Sequence, residues 1–336
     1  MKAEIKSFVT HDNHILATDW YKNTHWMQYP NGTMPAFQKK TQVVYSYLES
    51  RGGYSPTVSN FGGQMVIKDH FEGIKIEQWM IDDAETFITL TGGFKEYFNR
   101  AGWQRIIDVH GGKLPIRIRA LPEGLEVPVK IPLMTFENTD YELPWLTNWC
   151  ETIGLHVWYT ISVATTSMNF NRAAKPYLDL TGETLPLFFL NDFGNRGCSS
   201  QQTAGRGGCS HLLHGAGTDT QVGIVYAARY YGADIRKQLV GASVFATEHS
   251  TTTIYSRENE HAALKHFIMT APDAATVSLV ADSYNIYEAV KFLGSIKDII
   301  LARKGKVVVR PDSGTPHIIS HEIMTLLWEL FGGGLS

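Results

Sequence analysis

The stretch KVVVRPDSG, residues 306–314, shows the pattern that decides the fold. An apolar run suited to a buried strand ends in a polar loop, and a helical stretch follows. Further segments repeat this pattern in whole or in part: LFFLNDFGNRG (187–197), GTDT before QVGIVYAARYYG (217–232), GASVFATEHSTTT (241–253) and TVSLVADSYNIY (276–287). This alternation predicts parallel strands joined by helices, with the loops at the strand ends converging on one face.

The part of the chain before these units has a different texture. VYSYLE (44–49), LPIRIRAL (114–121) and LEVPVKIPLMTFEN (125–138) are predicted strands, and a Pro-Glu-Gly turn joins the last two. Apolar residues at helical spacing, Trp158 among them, predict one long buried helix over 145–180. Ser199 and Gln202 have the spacing of a capping box that opens a helix.

We therefore expect an α/β protein with two domains. Residues 1–180 form an amino-terminal α+β domain that includes the long helix, and residues 181–336 form an incomplete (β/α) barrel-like domain with the ligand-binding loops. About four or five strand-loop-helix units fit the chain, whereas a closed barrel needs eight. Either the sheet stays open or part of the fold is missing.

Composition excludes several classes of protein. The 336 residues are 43% hydrophobic with a net charge of −3, so no general basic field exists to hold nucleic acid or an anionic membrane. The start, MKAEIKSFVTHDNH, lacks the apolar core of a leader, and no run approaches the ~18 apolar residues of a membrane span. Three widely spaced cysteines do not suggest a disulfide scaffold. We expect a soluble cytoplasmic protein.

Common nucleotide and metal motifs are missing from the sequence. There is no GxxxxGK[ST], no GxGxxG after a strand and no GxSxG. The pairs His11/His14 and His211/His214 have i,i+3 spacing, which is more typical of solvated or core histidines than of metal ligands. No metal-ligating side chains are predicted.

Two segments carry chemistry, each with a plainer alternative. In VVVRPDSGTP (307–316), Arg310 and a Ser-Gly turn would suit a phosphate, and Asp312 could accept from sugar hydroxyls. A surface turn with an ion-paired Arg is the alternative. In NDFGNRG (191–197), Phe193 could stack a flat ring and Arg196 could meet an anion, or the Phe is core in a glycine turn.

Two further side chains are candidates on their own. Asp219, in GTDT, could accept a hydrogen bond from an amide NH2, or it caps a helix. His249, between Glu248 and Ser250, could carry a proton or act as a nucleophile, although a lone histidine is normally unremarkable.

Taken together, the segments resemble the nicotinamide phosphoribosyltransferase family, in the family's order and at similar spacing over essentially the whole chain. The segments are ATDWYKNTHW (17–26), YSYLESRG (45–52), FENTD (136–140), LTNWCET (146–152), DFGNRGCSSQQTAG (192–205), GTDT (217–220), TEHST (247–251), DSYNIY (282–287) and RPDSG (310–314). The family belongs to the type II phosphoribosyltransferases, which combine an α/β domain with an incomplete or irregular α/β barrel.

The resemblance implies a pentosyltransferase of NAD salvage. Nicotinamide and phosphoribosyl pyrophosphate would give nicotinamide mononucleotide and pyrophosphate, with Mg²⁺ accompanying the pyrophosphate. ATP is an accessory substrate in the family and is hydrolysed through a phosphorylated histidine. The enzymes of the family work as homodimers with a shared active site, so the resemblance predicts a homodimer here.

The resemblance also assigns roles to residues. Phe193 and, across the dimer interface, Tyr21 match the positions that stack on the nicotinamide ring, and Asp219 matches the acceptor for its carboxamide. The remaining matches are Arg196 and Arg310 around ring and phosphates, Arg51 on the pyrophosphate side, Asp312 as ribose acceptor, Asp282 near the reacting centre and His249 as the phosphorylated histidine.

Two departures from the family pattern matter. Asn191 stands where animal members carry a His just before DFG. The family also runs on for about 150 residues beyond RPDSG, the size of a typical domain, so we expect a carboxy-terminally truncated chain with an incomplete 5-phosphate site.

The alternatives to this function are a nicotinate phosphoribosyltransferase, which Asp219 and its GTDT context disfavour, and an inactive truncated remnant that binds a ligand.

Overall fold

The computed structural model describes residues 13–36, 38–182 and 188–333. The chain divides into two compact units, Met1–Ala242 and Ser243–Ser336. The division that the sequence suggests after residue 180 lies inside the first unit, because helices that follow it pack against helices that precede it. The overall fold is mixed α/β, as predicted.

The first unit contains two small antiparallel sheets. Strands β1 and β3 flank β5, and β2 pairs with β4. The stretch after the Pro-Glu-Gly turn is two strands, and the strand just after the turn pairs with β2 instead of β3, so the turn does not close a hairpin. The bounds are β1 Tyr45–Glu49, β2 Thr57–Ser59, β3 Ile116–Ala120, β4 Glu126–Pro128 and β5 Pro132–Asn138.

Eight α-helices complete the described part of this unit. They are α1 Gly63–His70, α2 Gln78–Gly92, α3 Arg100–His110, α4 Leu146–Trp149, α5 Glu151–Leu155, α6 Val157–Thr181, α7 Gln201–His211 and α8 Gln221–Tyr231. The predicted single helix over 145–180 is thus three consecutive helices, with breaks at Cys150 and His156. Trp158, predicted to be buried, is 63% exposed because it lies on the outer face of α6.

The core of the first unit is aromatic and aliphatic. Trp103 packs edge-on against Trp145 and Trp149, with ring centroids 5.0 and 5.3 Å apart. Ile81 and Ile88 of α2 are fully buried beside them in the same cluster. Such side chains stabilise the fold by roughly 1.5–3 kcal/mol each when fully buried, so this cluster holds α2, α3 and α4 together.

Two very short parallel strands precede α7 and α8. β6 (Asn191–Asp192) pairs with β7 (Gly217–Thr218). Residues 188–190 of the predicted LFFL strand are not strand, and residue 187 lies outside the described residues. The cap of α7 is Ser200, whose hydroxyl accepts from Thr203 N, so the predicted box of Ser199 and Gln202 is displaced by one residue.

The second unit is a three-stranded parallel sheet with helices between its strands. The strand order is β10-β9-β8, and β9 is buried along its whole length, as the continuous apolar run predicts. Of GASVFA only the last two residues form a strand, since Ala242 instead bridges to Gly217. The bounds are β8 Phe245–Ala246, α9 His249–Thr253, α10 Glu260–Thr270, β9 Val277–Val280, α11 Ile286–Ser295, α12 Lys297–Leu301, β10 Val307–Arg310 and α13 Pro316–Phe331.

Within residues 13–36, 38–182 and 188–333, no helix is long and apolar enough to cross a membrane.

Candidate active site

The loops after the three parallel strands of the second unit bring acidic and imidazole side chains together. His249 follows β8, Asp282 follows β9 and Asp312 follows β10. The Nε2 atom of His249 lies 3.3 Å from Asp312 Oδ2 and 3.8 Å from Asp282 Oδ1. These three residues are therefore neighbours although 63 positions of sequence separate the first from the last.

Asp282 is the most enclosed member of this cluster. One of its carboxylate oxygens, Oδ2, accepts the backbone N–H of Asp312 at 2.9 Å and the Ser313 hydroxyl at 2.6 Å. Burial acts to raise the pKa of Asp282, but these two hydrogen bonds and the nearby His249 hold it below its usual value. The other oxygen, Oδ1, is buried without a hydrogen-bond partner among the described residues. Asp282 is thus an ionised carboxylate with one oxygen unused.

The hydrogen bonds of His249 fix its tautomer. A carboxylate only accepts, so the ring nitrogen Nε2, which faces Asp312 and Asp282, carries the proton. Nδ1 lies 3.1 Å from the Ser283 hydroxyl and accepts from it in this tautomer. Glu248 caps α9 through Thr251 and does not pair with the ring. Nδ1 therefore holds the lone pair that a nucleophile needs.

Arg310 ends strand β10 and is anchored by the neighbouring strand. Its Nη2 donates to the Thr247 carbonyl at 2.6 Å, and its Nε is buried without a partner among the described residues. Thr247 in turn is locked to β9, because its hydroxyl accepts Val280 N at 2.9 Å. The guanidinium is thus held at the carboxyl end of the sheet with donor capacity left over.

In the first unit, the ends of β6 and β7 bring together the loops that carry Phe193 and Asp219. The backbone N–H of Asp219 donates to the carbonyl of Asp192 at 2.9 Å, so the two loops meet at that point. Phe193 is 55% exposed, which contradicts the alternative that it is a core residue. The N-cap position of α8 is Thr220, so Asp219 lies one residue before the start of this helix.

Asp192 is a residue of this loop that the sequence analysis missed. Its Oδ1 accepts Gly194 N at 2.8 Å and its Oδ2 is buried without a partner among the described residues. The signal was available, since Asp192 is the strand-end carboxylate directly before Phe193. It shapes the turn that presents the ring.

The other predicted site residues of the first unit lie on separate elements. Arg196 is exposed in the 3-10 turn Gly194–Gly197, and Arg51 lines a cavity of about 660 Å³ together with Tyr47 and Glu151. Tyr21 is 56% exposed on the 3-10 helix Trp20–Met27, edge-on to His25 at 5.0 Å. An exposed ring held in this way is available to a second molecule.

Two histidines that share one segment have structural partners. His211 Nδ1 lies 2.9 Å from Ser167 Oγ, its Nε2 donates to the Gly217 carbonyl at 3.0 Å, and His214 Nε2 lies 2.8 Å from Ser59 Oγ. Across the described residues, no group of three or more His, Cys, Asp or Glu side chains is arranged to hold a metal ion. His11 lies outside the described residues.

Comparison with known proteins places this arrangement in a family. Residues 13–118 match the N-terminal domain of nicotinamide phosphoribosyltransferase, and residues 188–333 match the nicotinate phosphoribosyltransferase (NAPRTase) family. A nicotinamide phosphoribosyltransferase from Acinetobacter baylyi is 32% identical over 96% of this chain and 68% of its own length. The chain belongs to the nicotinamide phosphoribosyltransferase family.

Other members and structural relatives extend this comparison. A nicotinamide phosphoribosyltransferase from Xanthomonas campestris is 40% identical over 96% of this chain and 66% of its own length. The chain thus spans about two thirds of the length of these relatives.

Solved structures of lower identity share the fold. The nicotinate-nucleotide pyrophosphorylase of Pyrococcus furiosus has a TM-score of 0.57 at 14% identity, covering 96% of this chain and 64% of that one. Human nicotinic acid phosphoribosyltransferase has a TM-score of 0.51 at 15% identity, covering 94% and 65%. The predicted fold class, of type II phosphoribosyltransferases, is confirmed.

Proposed function

We propose that this chain catalyses transfer of a 5-phosphoribosyl group from phosphoribosyl pyrophosphate to nicotinamide, giving nicotinamide mononucleotide and pyrophosphate. The observation that carries the proposal is the meeting of the Phe193 and Asp219 loops in a chain of this family. The reaction is a salvage step toward NAD, and we place it in the cytoplasm.

The base would be recognised in the first unit. Nicotinamide is flat and neutral, so it needs stacking faces and a polar anchor. Phe193 supplies one face, and Tyr21 of the partner subunit supplies the other in a homodimer with a shared site. Stacking contributes roughly 0.5–1.5 kcal/mol beyond burial. The Asp219 carboxylate accepts from the carboxamide NH2 and repels the carboxylate of nicotinate.

The phosphoribosyl donor would meet the arginines and carboxylates. In the second unit, Arg310 would bind a phosphate of the donor and Asp312 would accept from its ribose hydroxyls. In the first unit, Arg196 and Arg51 match phosphate-binding arginines of the family. Mg²⁺ accompanies pyrophosphate as part of the substrate. It prefers oxygen ligands, and the unused Oδ1 of Asp282 is an oxygen donor suited to it, directly or through water.

The chemistry is displacement at the anomeric carbon with oxocarbenium-like character. The bond from C1 of the ribose to the pyridine nitrogen forms as the bond to the pyrophosphate oxygen breaks. The ring nitrogen is already nucleophilic, so no strong general base is needed. Positioning and neutralisation of the leaving group supply most of the acceleration.

ATP would act through His249. The Nδ1 lone pair attacks the γ-phosphorus, the bond to the β-phosphate oxygen breaks, and ADP leaves. The proton stays on Nε2, where Asp312 and Asp282 balance the cationic ring. A phosphorylated His249 adds negative charge near magnesium pyrophosphate, which tightens substrate binding.

Replacement of His249 tests the ATP step. His249→Ala should abolish the stimulation of turnover by ATP and leave turnover without ATP within a few-fold of the native protein. Initial rates with and without ATP measure this. Full ATP stimulation in the variant would contradict a role for His249.

Turnover with each pyridine tests the main proposal. With phosphoribosyl pyrophosphate and Mg²⁺, kcat/KM for nicotinamide should exceed that for nicotinate by at least about tenfold. The reverse preference would favour a nicotinate phosphoribosyltransferase. The family match over residues 188–333 is the observation behind that alternative hypothesis. Nicotinamide binding by calorimetry without turnover would instead favour a ligand-binding protein.

A further inference from the structure

Two cavities of the first unit meet around one buried arginine. The first, of about 570 Å³, and the second, of about 600 Å³, share the side chains of His70, Gln202 and Arg206. We call the two cavities and these three shared residues the Arg206 groove. None of its side chains belongs to the residues assigned above to nicotinamide, phosphoribosyl pyrophosphate or ATP.

Arg206 is held rigidly at the centre of the groove. Its side chain is 13% exposed, and its Nη2 lies 2.9 Å from Asp69 Oδ2 and 3.1 Å from His70 Nε2. Asp69 is fixed in turn, because the Tyr230 hydroxyl donates to its other oxygen at 2.5 Å. A guanidinium held in this way presents its remaining N–H groups without the loss of side-chain entropy that a surface arginine pays on binding.

The contact with Arg206 determines the protonation state and the tautomer of His70. A guanidinium has no acceptor, so His70 Nε2 accepts from it and the neutral ring carries its proton on Nδ1. Burial and the charge of Arg206 together lower the pKa of His70 to about 4, so the ring is neutral near pH 7. His156 lies edge-on to it, with ring centroids 6.2 Å apart, and burial lowers its pKa as well. His70 thus adds a neutral N–H donor beside the arginine.

Charge and helix geometry around the groove favour an anion. The second cavity is also lined by Lys75 and Arg229, so three cations face one carboxylate, Asp69. The first cavity is lined by Ser199, Gln202 and Thr203, at the start of the 11-residue helix α7. The first-turn amides of a helix are donors without intrahelical acceptors, and of those in α7 the Thr203 amide already donates to the Ser200 hydroxyl. Donors therefore predominate on both sides of Arg206.

We propose that the Arg206 groove binds a small oxyanion of the phosphate class at a site separate from the proposed substrate site. Charge-assisted hydrogen bonds from an arginine fork are strong, and planar N–H pairs match tetrahedral phosphate oxygens. The wall of the first cavity includes Gly197 and Cys198, directly after Arg196, so an occupant lies against the loop that also carries Phe193. The proposal does not depend on the proposed function, since it concerns binding alone.

The imidazole resonances of His70 and His156 provide a local readout. Sodium phosphate and sodium pyrophosphate are titrated separately at pH 7.5 and constant ionic strength, without Mg²⁺, and ¹H–¹⁵N spectra of the histidine rings are recorded. Saturable shifts of both rings in the low millimolar range are expected, with none from chloride. Tighter binding of pyrophosphate than of phosphate would indicate a diphosphate ligand, and the opposite order would indicate a monophosphate.

Paired substitutions test the origin of the binding. The double variant Asp69→Asn/Arg206→Gln removes both charges and keeps amide hydrogen-bonding groups. The affinity for the anion, measured through the shifts of His156, should fall at least tenfold. The matched control Glu126→Gln/Arg172→Gln removes an exposed ion pair of the same unit and should change nothing. Thermal melts of both variants check that the fold is kept.

Two outcomes would overturn the proposal. One is the absence of any shift in the native protein up to about 20 mM of either anion, which would nearly saturate a site with a Kd in the low millimolar range. The other is an unchanged affinity in the folded double variant. Arg310→Gln separates this site from the substrate site, because it should leave the histidine shifts intact even if substrate turnover is lost.

Discussion

In the proposed site, Asp219 would decide which pyridine is accepted. Its carboxylate accepts from an amide and repels an acid, so Asp219→Asn should admit nicotinate by offering a donor. We expect the ratio of kcat/KM for nicotinamide over nicotinate to fall by about 10–100-fold, the effect of losing one hydrogen bond to a charged group, which is worth roughly 1.5–3 kcal/mol. Parallel initial-rate assays with the two pyridines measure it.

The matched control for this variant is Asp179→Asn. Asp179 is an exposed carboxylate near the end of α6 that pairs with Lys175. Its replacement should leave the ratio within twofold of the native value. An unchanged ratio in Asp219→Asn would remove Asp219 from the recognition of the base.

The sequence predicts residue types well and local partners poorly. It selects His249, Asp282 and Asp312 as strand-end residues, and the structure makes them neighbours. It notes Glu248 only as the sequence neighbour of His249, and in the structure Glu248 caps α9. It misses Asp192, whose backbone joins the Phe193 and Asp219 loops. Partners of this kind depend on register and rotamer, which a pattern of residue types does not contain.

At the scale of elements, Asp140 joins α3 to the loop after β5. Arg105 Nε and His110 Nε2 each lie 2.7 Å from Asp140 Oδ2. Burial acts to raise the pKa of Asp140, but the hydrogen bonds from Arg105 and His110 outweigh it and lower the pKa from 3.8 to about 2. A carboxyl group whose pKa falls on folding stabilises the native state at pH values where it is ionised.

The lowered pKa of Asp140 predicts the direction in which its replacement changes stability. Asp140→Asn should lower the free energy of unfolding by about 2 kcal/mol near pH 7, since each pKa unit corresponds to about 1.4 kcal/mol. The difference should persist down to about pH 4 and shrink as the pH falls toward 2. Urea unfolding at pH 7, 5 and 3.5 measures it. Asp108→Asn, an exposed α3 carboxylate that contacts Gln104, should cost under about 0.5 kcal/mol at each pH.

The crossing of α7 and α8 depends on two glycines. A Cβ at Gly223 would lie 2.6 Å from the carbonyl carbon of Gly208, so the backbones touch where the helices cross. Gly223→Ala should lower the free energy of unfolding by about 1–3 kcal/mol through overpacking, even though alanine favours helix by about 1 kcal/mol. Chemical denaturation measures it.

Val225→Ala on the exposed face of α8 is the control for this prediction. Val225 is 59% exposed, so its truncation should change stability by less than about 0.5 kcal/mol. A stabilised Gly223→Ala would mean that the two helices do not meet at the glycines.

Elements with strong periodicity are predictable from the sequence, and short ones are not. The apolar runs at 276–281 and 306–309 become β9 and β10, and QVGIVYAARYYG becomes α8. β6 and β7 have two residues each, too few for any period to show. Their pairing arises from packing between segments distant in sequence, and this is what brings together the loops that carry Phe193 and Asp219.

At the scale of the whole molecule, the proposed site would require two copies of the chain. In that proposal, Phe193 and Asp219 supply one wall, and Tyr21 of the partner subunit supplies the other. Tyr21 is exposed, and the helix that carries it is clamped by hydrogen bonds from Thr152 to Asp19 and by the buried Lys22 paired with Glu151. The ring is therefore presented outward on a fixed support.

A shared site predicts recovery of activity from two inactive variants. Tyr21→Ala and Phe193→Ala should each lose most of their turnover as homodimers. A hybrid dimer has one site that carries both changes and one native site, so it has half of the native activity. Random pairing makes half of the dimers hybrids. Co-expression should therefore restore about a quarter of native activity. Assays on the co-purified mixture, isolated through two different affinity tags to raise the hybrid fraction, should approach half. If each subunit instead supplied its own Tyr21, every site would keep one substitution and the mixture would stay as inactive as the parents.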